Sequence, residues 1–375
     1  MNPDSALVAL SASLNEEGPA VEFLPGATNN DYLVNHVGEA ELEGLQEIAA
    51  VVRTSGSTGT PKRAALSIEA LASSSMATAE YLGFEGQWLL ALPLHYVAGL
   101  SVLSRSLYAG TRPWAMDLNP SFGAQGFNEA ASALTDSKRL VSLVPTQLQR
   151  LLTDPSEQTL ATLKRFDAIL LGGARASRAV LDEASKYSLN IHLTYGSSET
   201  SGGCVYDAKA LPGVQVKTVD GRILLGGPTI ASGYLGNQAL SIEHFSVDHE
   251  GTRWYTTDDL GSHEDGVLYI SGRADDVINT GGLKVSAAKI QHVIESVPGV
   301  ESVVVLPVAD PQWGQQVGAA LSGSADPDTV REAVRAALGS AAVPRRFLQL
   351  PELPLLPNGK FDRMAMGALL AATNE

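Results

Sequence analysis

The chain has 375 residues, 44% of them apolar, with one cysteine, a formal net charge of −15 and an isoelectric point near 4.9. That length suffices for two domains with sizeable cores, and the acidic balance argues against nucleic acid or an anionic membrane as partner, so any bound anion needs a local site. The lone Cys204 excludes an intramolecular disulfide framework and a cysteine-rich zinc site, and a reducing, cytoplasmic setting is expected. Asp4 and a brief apolar run before Asn15-Glu16-Glu17, without a basic start, do not match a secretory signal, and no run approaches the roughly eighteen apolar residues of a membrane span.

In chain order, residues 1–47 are acidic and mixed, with Gly26, Asn29 and Asn30 marking a turn and no chemistry assigned. The apolar run 48–52 reads as a buried strand and 64–66 as another, ahead of a helix over 67–82 capped by Ser67. Between the strands lies Thr54-Ser55-Gly56-Ser57-Thr58-Gly59-Thr60-Pro61-Lys62, in which five of nine residues are Ser or Thr, two are Gly and one is a cation. Glycines let a backbone approach a bulky anion, hydroxyls and amides donate to phosphate oxygens, and Lys62 supplies charge. The spacing is not that of the Walker loop G-x-x-x-x-G-K-[ST], because Gly56 and Gly59 stand three apart and Pro61 precedes the lysine. Taken alone, the stretch also reads as a flexible Gly/Ser connector.

A strand over 88–92 ends at Pro93-Leu94-His95-Tyr96, followed by a helix over 99–108, a strand over 112–116 and a helix over 122–134. Strand 140–144 then leads through Pro145 into helix 146–152, and strand 168–171, helix 178–187 and strand 191–195 complete the series. Such alternation predicts an α/β fold with a mostly parallel sheet and covering helices, whose ligand site lies beyond the carboxyl ends of the strands. His95, Gly172-Gly173-Ala174 and residues 196–200 fall there. Short runs over 214–219, 222–225, 253–255 and 267–270, with Asp220-Gly221 and Asp265-Gly266 between them, predict hairpins of a small β subdomain. After Gly272-Arg273-Ala274-Asp275-Asp276 the alternation restarts: helix 286–297, strands 302–307 and 316–321, helix 328–338, strand 347–350, and a turn at Pro357-Asn358-Gly359-Lys360.

Five stretches in order, Thr54 to Lys62, Tyr195-Gly196-Ser197-Ser198-Glu199-Thr200, Tyr255-Thr256-Thr257-Asp258-Asp259-Leu260-Gly261, Gly272 to Asp276 and Asn358-Gly359-Lys360, resemble the motifs of adenylate-forming enzymes. That family includes acyl-CoA synthetases, peptide-synthetase adenylation domains and luciferases. Within it the chain looks most like the o-succinylbenzoate-CoA ligases of menaquinone synthesis, through its short length, Gly202-Gly203-Cys204-Val205-Tyr206 and the run from Gly226 to Tyr234. The resemblance implies a large amino-terminal domain over 1–271, a hinge over 272–276 and a small mobile α+β carboxyl-terminal domain over 277–375. It implies ATP, Mg²⁺ and CoA as the small molecules used with a carboxylate substrate; the assembly is not fixed, with a homodimer as the candidate.

The implied reaction is attack of a carboxylate on the α-phosphorus of ATP, which needs no general base but requires an anion to be brought to a polyanion. By resemblance, Lys62 and Thr54, Ser55, Gly56, Ser57, Thr58 and Gly59 grip the β- and γ-phosphates, and Glu199 holds Mg²⁺, a hard cation suited to carboxylate and phosphate oxygens. Tyr195, Gly196 and Ser198 belong to the same nucleotide site, Gly172, Gly173 and Ala174 lie along the adenine, and Asp259 accepts from the ribose with Arg273 close by. Lys360 bridges the α-phosphate and the acyl carboxylate. In the second half-reaction the small domain pivots at Asp275 and exchanges the Lys360 surface for the Gly281-Gly282 face, so that a thiol reaches the adenylate. His95 stands beside the acyl site.

Departures from the family pattern are a short lead of 53 residues before Thr54, so that the resemblance does not assign one wall of the acyl pocket, and Asp258, Thr256, Ala287 and Lys289 where other residues are usual. Outside the resemblance, each residue has a plainer reading: His95 structural, Asp258-Asp259 a solvated turn, Glu199 a helix-start carboxylate, Lys360 a surface lysine and Cys204 a small buried residue. The competing functions are another aryl- or acyl-CoA ligase or carrier-loading enzyme, and a non-catalytic nucleotide-binding protein. A serine hydrolase lacks support, because no G-x-S-x-G elbow occurs.

Overall fold

Continuous apolar runs such as Trp88-Leu89-Leu90 and Ile169-Leu170-Leu171 suit a sheet covered on both faces, because neither face can then be polar. In the computed structural model, which describes residues 3–54 and 61–372, these runs lie in a seven-stranded sheet. Its order is Lys209–Ala210, Gly202–Tyr206, Ile191–Ser197, Ala168–Leu171, Arg139–Leu143, Gln87–Leu90 and Trp114–Ala115. Pairing is parallel from Ile191–Ser197 to Trp114–Ala115 and antiparallel at Gly202–Tyr206. Phe127, Leu148, Leu163 and Phe166 pack with Leu89, Val141 and Ile169 in one core, bringing the helices Ala124–Ser132, Pro145–Leu152 and Glu157–Leu163 onto the sheet. Helices Ile68–Leu82 and Val97–Tyr108 pack on each other and against Gly202–Tyr206. Ser67 caps the first of them by accepting from the Ala70 amide at 3.1 Å, as expected.

A second sheet has the order Gly233–Tyr234, Lys62–Ser67, Ile48–Thr54, Ala20–Pro25 and Tyr32–Val37. Residues 1–47, where only a turn is expected, in fact form helix Asp4–Leu14 and an antiparallel hairpin of Ala20–Pro25 with Tyr32–Val37 around that turn. Two features hide them in the sequence. The helix has no side-chain cap, and Glu22 breaks the apolar run of its strand while being wholly buried.

Other expectations shift in extent. The strand expected over 112–116 shrinks to Trp114–Ala115, and the helix Glu157–Leu163 was not anticipated. The run at 253–255 extends to a twelve-residue strand, Arg253–Glu264, which carries Asp258 and Asp259, a pair that alone reads as a solvated turn. Strands Gln215–Val219 and Arg222–Gly226 meet at Asp220 (φ 50°) and Gly221 (φ 77°), the paired left-handed residues of a tight hairpin, and Asp265-Gly266 repeats the device.

The chain divides into two compact units: Met1–Lys217 with Leu224–Thr257 and His263–Leu268, and Tyr269–Glu375 with Thr218–Ile223 and Asp258–Ser262. In the second unit a sheet is ordered Leu283–Ser286, Val277–Thr280, Gly314–Gly323, Val300–Asp310, with Arg346–Gln349 parallel to Gly314–Gly323. Its edge strand Val300–Asp310 alternates: Val303 and Val305 join the core of Ile290, Ile294 and Val330, whereas Val304 and Leu306 join Met366 and Leu370. The period of two thus feeds cores on opposite faces. The second of these cores is covered by helix Arg363–Ala372, which the sequence reading did not anticipate.

The close approach of Ile191–Ser197 and Gly202–Tyr206 depends on Gly196, where an added Cβ would lie 2.1 Å from the Gly202 carbonyl oxygen. We expect Gly196→Ala to destabilise the protein by about 1–3 kcal/mol in urea unfolding, and Gly38→Ala, where nothing lies within 4 Å, to change it by less than about 0.5 kcal/mol.

Candidate active site

The loops beyond the parallel strands carry the residues expected there. His95 follows Gln87–Leu90, Gly172-Gly173-Ala174 follows Ala168–Leu171, and Glu199 sits on the single turn Ser198–Thr200 that ends Ile191–Ser197. Two of the glycines have reasons internal to the protein. A Cβ on Gly172 would meet the Thr194 hydroxyl at 2.2 Å, and Gly173 has a φ of +81°. Gly173 and Ala174 are exposed, while Tyr195, Gly196 and Ser198 are half-buried. The half-buried ring of His95 lies 4.3 Å from that of Tyr96, and burial holds its pKa below the usual histidine value.

Glu199 is only 5% exposed, and the Tyr234 hydroxyl donates to one of its carboxylate oxygens at 2.8 Å. A buried carboxylate needs such a donor. Tyr234 reaches it because Gly233–Tyr234 pairs antiparallel with Lys62–Ser67, Tyr234 standing opposite Ala64. The Ala231 amide bonds to the Glu199 carbonyl at 2.9 Å and the Ser232 amide to that of Ala65 at 2.8 Å, so one segment ties the glutamate turn to the strand beginning at Lys62. The Lys62 ammonium lies 5.3 Å from the centroid of the Tyr234 ring. Phe245 and His244 contact the edge or face of the same ring, and His244 is itself held by donating from Nδ1 to the Thr256 carbonyl at 3.0 Å. Burial, then the negative charge of Glu199, push the Tyr234 hydroxyl far above the ordinary phenol range, which keeps it a donor.

Tyr234 closes the family-like run that begins at Gly226, but its pairing across a sheet edge leaves no local signal of this contact in the sequence. Thr54 stands opposite Lys62 at the ends of the two arms. Ser55, Gly56, Ser57, Thr58 and Gly59 lie outside the described residues. Cys204 is fully buried, and burial pushes its thiol up to about 12, which agrees with a packing role.

In the second unit, Arg273 makes a two-pronged ion pair with Asp275, at 2.8 and 2.9 Å, and reaches Asp259 and Asp258 at 3.5 Å each. The bonds to Asp275 lead in raising the guanidinium's pKa above its already high value. Three carboxylates around one arginine leave it no surplus charge, so it orients Asp259 rather than adding attraction for a polyanion. Asp275 is exposed, whereas Asp276 pairs with Arg363 at 2.6 Å, and burial still raises its carboxyl above the usual range.

Lys360 lies on a compact turn closed by Leu356 N–H to Lys360 O and Gly359 N–H to Leu356 O, both 2.8 Å. The buried Asn358 side chain accepts from the Lys360 amide at 3.1 Å. Gly281 (φ 59°) packs so closely on Trp313 that a Cβ would fall 2.3 Å from the indole, while Gly282 (φ 84°) faces open space. Nothing in the sequence near Trp313 signals this packing, because Gly281 lies 32 residues before it.

Among the described residues no group of three or more His, Cys, Asp or Glu side chains could by itself hold a metal. Glu199, with Tyr234 on one oxygen, instead presents a single oriented carboxylate. That donor suits a hard cation which takes its remaining ligands from substrate phosphates and water.

The model of the family described as AMP-binding enzyme matches residues 11–235, and that of the AMP-binding enzyme C-terminal domain matches residues 289–360. A probable 2-succinylbenzoate–CoA ligase of Mycobacterium tuberculosis strain H37Rv is 39% identical over 371 residues, covering 96% of this chain and 94% of that protein. The 2-succinylbenzoate–CoA ligase of Escherichia coli K12 is 33% identical over 332 residues, covering 85% of this chain and 68% of its own length. Among solved structures, o-succinylbenzoate CoA synthetase from Bacillus subtilis in complex with its acyl-adenylate intermediate aligns with a TM-score of 0.68 at 25% identity, over 85% of this chain and 69% of that one. ATP-bound MatB from Rhodopseudomonas palustris shares the fold, with a TM-score of 0.74 at 24% identity over 91% and 71% of the two chains.

Removing the hydroxyl in Tyr234→Phe leaves a buried carboxylate oxygen without its donor, and we expect a loss of about 1–3 kcal/mol in urea unfolding. For His95, the folded state binds the proton more weakly than the unfolded chain does. Its stability cost is therefore absent well above pH 6.5 and grows as pH falls below it. Its imidazole signals in an NMR titration should have a midpoint below 6.5, and a midpoint at or above that value would contradict the burial.

Proposed function

The chain belongs to the AMP-binding enzyme family, and from that premise we propose that it joins 2-succinylbenzoate to coenzyme A at the expense of ATP, yielding the thioester, AMP and pyrophosphate. The observation that carries this reading is the 39% identity to a probable ligase of that specificity across nearly the whole of both chains. The step makes an activated precursor for menaquinone. A cytoplasmic location goes with a substrate, ATP and coenzyme A that are all water-soluble; separately, no helix of the described residues is long and apolar enough to cross a membrane. A homodimer is the assembly to test, by light scattering.

The substrate carboxylate is already ionised, so catalysis consists of neutralising charge and aligning the carboxylate with the α-phosphorus and its leaving pyrophosphate. Lys62, presented at the end of its strand, takes the β- and γ-phosphates together with Thr54 and the hydroxyl loop. Glu199, oriented by Tyr234, holds Mg²⁺, which when bound screens the phosphate charge. Asp259, turned by Arg273, accepts from the ribose hydroxyls, and the exposed Gly173-Ala174 backbone runs along the adenine. Lys360 bridges the α-phosphate and the acyl carboxylate. His95, whose burial favours the neutral imidazole, lies by the acyl group. For thioester formation the segment around Asp275 serves as the pivot, and an exposed aspartate loses no burial when the chain swings about it. The Gly281-Gly282 face then receives the thiol.

Pyrophosphate release should depend on 2-succinylbenzoate, with kcat/KM at least about a hundredfold above that for benzoate or a fatty acid, since buried polar groups reject analogues that leave them unpaired. No stimulation by 2-succinylbenzoate would discard the substrate. Lys360→Ala should lower adenylation by about a hundredfold or more, and adenylation at the normal rate would remove that lysine from the mechanism.

A further inference from the structure

Glu22 lies at the centre of a charge cluster that the ligase reading does not use. Its side chain is 0% exposed and accepts from Arg53 Nε at 2.8 Å and from Arg63 at 3.2 Å (Nε) and 2.8 Å (Nη2), while Asn35 donates at 3.2 Å. Arg63 also reaches Glu41 at 2.8 Å. Burial alone would raise the Glu22 carboxyl, yet the bonds from Arg63 and Arg53 hold it below the usual carboxylate range. Replacing such a cluster by apolar residues often costs no stability, so stability alone is a weak reason for it.

Its placement supplies a stronger reason. Arg53 and Arg63 stand opposite each other in the antiparallel pair of Ile48–Thr54 with Lys62–Ser67, and the next pair is Thr54 with Lys62. Side chains alternate faces along a strand, so a slip of one residue would send Lys62 to the wrong side of the sheet. The ladder already contains a register irregularity between Ile48 and Ala50, and the Leu235 amide bonds to Arg63 O at 2.7 Å on the far side. One carboxylate gripping both arginines admits a single register.

We propose that Glu22 is a positioning residue for the reaction: by binding Arg53 and Arg63 it sets the register of the two arms and so presents Lys62 to the ATP phosphates. This rests on the reading of Lys62 as a phosphate ligand. The test is the initial rate of pyrophosphate release by full-length Glu22→Gln, Arg53→Gln and Lys62→Gln proteins, with ATP and 2-succinylbenzoate varied separately. Glu22→Gln should raise the KM for ATP by about tenfold or more while that for 2-succinylbenzoate changes by less than about twofold. Arg53→Gln should shift the same constant in the same direction. Arg53 is half-exposed, so that variant decides the matter should Glu22→Gln fail to fold. Equal rises in both KM values, or none, overturn the inference. With Lys62→Gln impaired, that outcome leaves the ligase reading standing; an unimpaired Lys62→Gln removes the phosphate role and this inference with it.

Discussion

The hydrogen bond between Tyr234 and Glu199 is the contact on which the first unit's site depends. A carboxylate with 5% exposure is tolerated only where a donor meets it, and the donor comes from a two-residue strand on a different sheet. The segment carrying that strand bonds at Ala231 to the glutamate turn and at Ser232 and Leu235 to the strand beginning at Lys62, while Ser201 donates to the Thr229 carbonyl at 3.0 Å. Two sheets of the first unit are thereby stitched where the Glu199 turn meets the strand beginning at Lys62. Hydroxyl, ring face and backbone of one tyrosine serve three different neighbours.

Electrostatics explains why the site has this form. A chain with 41 acidic against 26 basic residues offers a polyanion no general attraction, so binding must come from few groups in fixed positions. Arg273, enclosed by Asp258, Asp259 and Asp275, gives its charge to ordering aspartates. Lys62 has an aromatic face beside it, its ammonium 5.3 Å from the centroid of the Tyr234 ring, and in the function proposed above its charge is directed at the ATP phosphates.

Much of this was legible in the sequence. Apolar runs located the parallel strands, Ser67 marked a helix start, and paired Asp-Gly steps marked hairpins, because each signal is local and its physics acts within a few residues. Glu199, Asp259 and Lys360 stand out only through the five stretches that resemble family motifs in order; taken singly they read as a helix-start carboxylate, a solvated turn and a surface lysine. What escaped was non-local. Glu22 appears as a polar break in a strand until Arg53 and Arg63 are seen to close on it. Gly172 and Gly281 look like openings for a ligand until Thr194 and Trp313 are found in the space a side chain would need. Tyr234 looks like core until its hydroxyl is traced to Glu199.

The central claim is that Glu199, held by Tyr234, is the point where metal-bound nucleotide attaches. Titration calorimetry of ATP into the parent protein and Glu199→Gln, with and without Mg²⁺, tests it most directly. The account predicts that Mg²⁺ strengthens ATP binding to the parent by about tenfold or more and to the variant by less than about twofold. Equal dependence on Mg²⁺ in the two proteins would contradict it.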